Sequence, residues 1–109
     1  VGDTEMCAGC DFSGMDLVKV KFKEVYLEGV TFEGANLEGA NLKSANLKGS
    51  NLRNANLKGA DLRHTDLYKA DLRGADLSGA NLEDALVSGA DLTGANLDGT
   101  ILNAQPTAK

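Results

Sequence analysis

The sequence predicts an all-β solenoid, a chain wound into stacked β-rungs around a narrow core. Three observations predict it. A large apolar residue stands at every fifth position from Phe12 to Leu102, through nineteen consecutive quintets. A small residue stands two positions before each centre from Ala35 to Thr100. With Cys7 counted as a centre, twelve of the thirteen glycines stand two positions after one.

The period excludes the ordinary elements. On an α-helix a step of five residues rotates about 500°, about 140° beyond a full turn, and scatters the centres around the cylinder. On a straight strand residues five apart face opposite sides, so half the leucines would meet water. A chain that bends once per quintet points every fifth side chain at a common axis, which is a solenoid.

Within a quintet each column has a role. The small residue lies an even step from the centre and also points inward. Between the two is an outward position held by Asn36, Asn41, Asn46, Asn51, Asn56, Asp61, Asp66, Asp71 and Asp76, among others. Such short polar side chains bond to nearby backbone at bends. The glycine column is the corner, where a missing Cβ relieves strain.

The run A-N-L-E-G-A-N-L-K-S-A-N-L-K-G-S-N-L-R-N-A-N-L from Ala35 resembles the pentapeptide-repeat family, whose pattern is A-(D/N)-L-x-x. The resemblance covers about residues 7–104. It implies a right-handed quadrilateral parallel β-helix with four quintets per coil, hence about five coils over one domain, 1–109, with a short C-terminal tail at 105–109. At about 4.8 Å between stacked strands the rod is about 23 Å long. Its core, one large and one small residue per side, leaves no room for a buried pocket, so no cofactor, metal site or small-molecule substrate is expected. Any activity is placed on the sides or the ends.

The formal charge of −5 argues against sequence-independent nucleic-acid binding, which needs clustered Lys and Arg. With residues twenty apart stacked, Glu28 falls beside Lys48, Glu33 beside Arg53, Glu38 beside Lys58 and Arg63 beside Glu83, a pattern of exposed ion pairs that contribute little in solvent. Lys21, Lys23, Lys43 and Arg63 form a modest basic stripe. No apolar run reaches the roughly 18 residues of a membrane span, so no membrane insertion is expected. The chain begins at Val1, which suggests trimming and leaves the compartment open.

Cys7 and Cys10 are the candidate disulfide. Fully extended, their Cα atoms would be about 10 Å apart, and a turn through Ala8 and Gly9 brings them within reach. A staple at the mouth of the solenoid, a reduced pair, a thiol-exchange site and a metal site lacking a nearby histidine all stay open. Cys-x-x-Cys-Asp-Phe-Ser-Gly running into repeats is similar to the entry of many cyanobacterial and plastid pentapeptide-repeat proteins, some of them exported. That favours a thylakoid lumen or periplasm over cytoplasm.

His64 occupies an exposed corner with no catalytic constellation fixed around it, and Asp61, Asp66, Asp71 and Asp76 circle one coil without converging. Outward apolar residues are scarcer. Tyr26, Tyr68 and Leu86 share a face and form the candidate partner surface. Toward the N-terminus the inward column enlarges to Cys10, Met15, Val20, Val25 and Val30, and Phe12, Phe22 and Phe32 gather in the core. After Leu102 no capping helix is visible, and Pro106 cannot donate to a ladder, so an end-to-end homodimer is one expectation.

These features predict a non-enzymatic structural or protein-interaction solenoid with a protein partner. The family resemblance supplies an alternative, an acidic nucleic-acid mimic that modulates a topoisomerase. The cysteines supply another, a redox-responsive lumenal protein.

Overall fold

Each quintet is one extended step followed by one tight turn. In the computed structural model of the protein, which describes residues 7–102, the Ala60 N–H donates to Leu57 O at 3.0 Å across Lys58 and Gly59. The same bond recurs from Cys10 N to Thr100 N. The third residue of every turn has positive φ, between 57° and 73° at all nineteen corners from Gly9 to Gly99. A bond from the fourth residue back to the first, with positive φ at the third, is the pattern of a type II turn. Lys19, Glu24, Ser44, Asn54, His64, Lys69 and Asp84 adopt this backbone without being glycine, at a strain of about 1–2 kcal/mol each.

The coils are set by parallel pairing between residues twenty apart. One ladder runs Asp11, Thr31, Asn51, Asp71, Asp91, and the other three faces repeat the arrangement. Twenty residues per step is four quintets, so the tube is four-sided, a number that the five-residue period alone does not specify.

The outward Asn/Asp column is explained by the backbone's donors. Around Leu57, the Asn56 N–H donates to Ala35 O in the preceding coil, while the Leu57 and Gly59 N–H groups donate to Asp76 O and Ser78 O in the next. The Ala60 N–H closes the turn. The remaining donor, Lys58 N–H, is accepted by Asn56 Oδ1 at 3.0 Å. All five N–H groups of the quintet are therefore paired, as a protein backbone requires. Fifteen outward side chains accept in this way, Thr31 through its hydroxyl.

The core matches the inward columns. Centres from Leu27 to Leu82 and small residues from Val30 to Ala85 are buried, none more than 1% exposed. Thr65 satisfies its buried hydroxyl by donating to Leu62 O at 2.6 Å, whereas Ser50 Oγ is buried with no partner. Inward packing loosens at both ends. Met15, expected to point inward, is 46% exposed, because among the described residues no earlier coil lies beneath it. Leu97 and Leu102 are exposed at the opposite end. The tail from 103 onward, with Pro106, lies outside the described residues.

Candidate interaction face and N-terminal disulfide

The ladder Tyr26, Asn46, Asp66, Leu86 puts Tyr26 and Leu86 on one face, and Tyr68, two residues beyond Asp66, projects from the same strand side. Their relative exposures are 44% for Tyr26, 39% for Tyr68 and 45% for Leu86. The Tyr68 ring lies under two ammonium groups, Lys69 Nζ 5.3 Å and Lys48 Nζ 6.0 Å from its centroid. Cations at that range are attracted to the ring face, so this aromatic forms a cation-flanked platform. The twenty-residue register places Lys48 there, but the part played by Lys69, which reaches in from the neighbouring corner, is not visible in spacing alone.

Tyr26 and Leu86 also interrupt the column of backbone acceptors. A phenol ring or an isobutyl group cannot accept from the N–H two residues on, so Glu28 N–H and Ser88 N–H lack the partner that fifteen equivalent groups have. Lys21 leaves Lys23 N–H in the same position. These three donors face solvent or are half-exposed.

Charge pairing only partly follows the stacking rule. Arg53 reaches Glu33 on the neighbouring coil at 2.9 Å. Arg63, placed by register beside Glu83, instead donates twice to Asp61, at 2.9 and 2.7 Å. Arg73 does the same to Asp71 and lies 3.8 Å from Asp91. Residues two apart on a strand project together, and a carboxylate already accepting the arginine's own backbone N–H is oriented for its guanidinium. Hydrogen bonds from Arg63 and Arg73 hold the Asp61 and Asp71 carboxyls below the usual carboxylate range. The hydroxyls of Ser78 and Thr93 lower Asp76 and Asp91 likewise. The Asp girdle is thus committed to its own strands.

His64 Nε2 lies 3.8 Å from Asp84 Oδ2, its stacked neighbour at the same corner, a pairing that the twenty-residue register places within view. Both groups are largely exposed, and among the described residues no group of His, Cys, Asp and Glu is arranged to hold a metal.

Cys7 and Cys10 form a disulfide with Cα atoms 5.4 Å apart. They are a centre and the next small residue, the pair that every turn of this chain brings together, and Cys10 N–H donates to Cys7 O at 3.0 Å like its counterparts. The crosslink therefore sits on a turn the repeat already makes. Beside it the rings of Phe12 and Phe32 stack, 5.2 Å between centroids and 12° between planes. Phe22 tilts against both, at 6.0 and 6.4 Å.

A four-sided parallel solenoid with one inward pair per side and a backbone capped by outward Asn/Asp defines the class of this protein. The pentapeptide-repeat profile matches residues 7–43, 35–74 and 75–103, and the chain belongs to the pentapeptide repeat family, whose members form right-handed quadrilateral β-helices. Its fold is similar to that of a pentapeptide repeat protein from the cyanobacterium Cyanothece 51142, at TM-score 0.79 and 28% identity over 92% of this chain and 86% of that one. It is also similar to a pentapeptide repeat protein from the Arabidopsis thaliana thylakoid lumen, at TM-score 0.69 and 35% identity, covering 85% of this chain and 61% of that one. The trypsin-treated form of QnrB1, a plasmid-mediated fluoroquinolone resistance protein, shares the fold at TM-score 0.59 and 18% identity, over 93% of this chain and 69% of that one. No protein with a curated description matches the sequence.

Proposed function

We propose that this chain is a non-enzymatic solenoid that recognises a protein partner through the face carrying Tyr26, Tyr68 and Leu86. The observation that carries this reading is the break in the capping column. At Tyr26 and Leu86 an exposed apolar side chain stands where Asn or Asp would accept a backbone N–H, so neither residue serves the fold as its equivalents do. Exposed aromatic and aliphatic anchors framed by lysines suit a partner surface with an apolar centre and acidic rim. The test is a double variant, Tyr26→Asn with Leu86→Asn. It restores two caps and is expected to be at least as stable as the parent, yet to lose the proteins captured from the native source. A stable variant that captures the same proteins would overturn the reading.

A second reading, an acidic mimic of nucleic acid acting on a topoisomerase, draws on uneven charge: residues 55–102 carry eight Asp or Glu against four Lys or Arg. The arginines break that surface, which favours the first reading. Supercoiling by a topoisomerase that is unchanged by excess protein would remove the second. An oxidising compartment, lumen or periplasm, suits the Cys7–Cys10 crosslink. Trapping the thiols in native extracts tests this, and a fully reduced pair would count against both compartment and redox response.

A further inference from the structure

At the N-terminal mouth no described coil lies against the first coil of the core. A cavity of about 460 Å³ lies among Cys7, Phe12, Phe22, Val25 and Leu27, with Lys21 and Lys23 on its rim. That volume falls within the range of about 300–1,000 Å³ that holds small organic ligands. In the middle of the tube, from Leu27 to Leu82, coils on both sides cover every ring and leucine at a centre. Here Leu27 is buried as the floor while Phe12 and Phe22 stay half-buried, and the three-ring cluster fixes the walls.

Among the described residues that line the cavity, the charged ones are both lysines. Lys21 and Lys23 flank Phe22 in sequence, and among the described residues no carboxylate pairs with either ammonium group within 4.0 Å. Lys21 also stands in the column that elsewhere supplies an acceptor, which leaves the Lys23 N–H without its internal cap. An apolar floor and walls, two ammonium groups and an uncapped amide on one edge are complementary to a molecule with an apolar body and a single terminal anion.

We propose that the N-terminal mouth binds a free, monomeric amphipathic carboxylate of the medium-chain fatty-acid type. Its tail would rest on Phe12, Phe22, Val25 and Leu27 and its carboxylate between Lys21 and Lys23. This is a binding site and not a catalytic one, and it lies inside the mouth, where Val25 and Leu27 flank Tyr26 at one end of the outward Tyr26, Tyr68 and Leu86 face.

The experiment titrates the full chain with decanoate below its micellar concentration, by calorimetry and by methyl and amide NMR. Saturable one-to-one binding is expected, with shifts at Val25, Leu27 and Phe22 and none at Leu97, Ile101 or Leu102. The variant Lys21→Asn with Lys23→Ser, which gives the column its usual residue and retains the fold, is expected to weaken decanoate at least tenfold. Lys48→Asn with Lys58→Ser, the same charge change elsewhere, is expected to have no effect. Decyltrimethylammonium, with the same tail and opposite charge, is expected to bind at least tenfold more weakly than decanoate. The proposal is overturned by non-saturating binding, by shifts centred on the C-terminal end, by equal affinity of the cation or the Lys21/Lys23 variant, or by binding only to vesicles that contain decanoate.

Discussion

The middle of the rod and its two ends are built from the same repeat and differ in what covers them. Around Leu57 every inward side chain is buried and every backbone N–H is paired. In the last coil the N–H groups of Leu92 and Leu97 donate to no described residue, and Leu97 is 38% exposed. In the first coil Met15 is exposed, Phe12 and Phe22 pack against Phe32 of the next coil, and Cys7 and Cys10 are crosslinked. A solenoid's stability is approximately a sum of repeat terms and neighbour terms, so a terminal coil lacks one neighbour and carries the burden of ending the stack. Chemistry follows the same division. The middle is occupied by packing and capping, and the proposed recognition uses outward breaks in the pattern and the mouth.

The contrast is broken most severely by a buried charge. Leu57→Asp places an unpaired carboxylate in the closed core and is expected to abolish folding, whereas Leu97→Asp is expected to lower the melting temperature by only a few degrees. Circular dichroism of the two variants checks this, and equal losses would remove the distinction between middle and end. Overpacking comes next. Ala75 is 1% exposed, so Ala75→Leu is expected to destabilise by about 1–3 kcal/mol, while Ala95→Leu in the half-buried last coil should cost clearly less in urea titrations.

Capping effects are smaller. Asn56→Ala deletes the acceptor for Lys58 N–H and is expected to cost about 1 kcal/mol, measured by chemical denaturation. Ser50→Ala removes a buried hydroxyl without a partner and is expected to stabilise by about 1 kcal/mol. Acid acts on the same network. Asp61 and Asp71 have folded-state values lowered from an ordinary 3.8, first by hydrogen bonds from Arg63 and Arg73. Their contribution is therefore complete above about pH 4 and declines as the pH falls below 3.8 through the depressed folded values. Melting temperatures are expected to be flat from pH 7 to 5 and to fall below pH 4. Arg63→Gln with Arg73→Gln should blunt that fall.

Much of the fold was legible in the residues. The five-step spacing of Leu37 through Leu82 requires a bend in each quintet, and the inward placement of the Ala column follows from it. The face shared by Tyr26, Tyr68 and Leu86 followed once four quintets per coil were supplied by the family pattern. Less legible was the partner of Arg63, because Asp61 on the same strand and Glu83 on the next coil both lie within a guanidinium's reach and only the orientation of the carboxylate decides between them. The exposure of Met15 and the mouth cavity were hidden for another reason. The repeat describes what a coil does between two others, and says nothing of a coil with one side bare.

Stacked coils twenty residues apart hold the N–H of each centre from Cys7 to Leu82 in a closed ladder, as Leu57 N–H is held on Asp76 O at 2.7 Å. Native-state hydrogen exchange tests it residue by residue. Amides of Leu37 through Leu82 are expected to exchange slowly, near the free energy of global unfolding, while those of Leu92 and Leu97 exchange orders of magnitude faster. Rapid exchange at Leu57, or equal protection along the whole row of leucines, would contradict it.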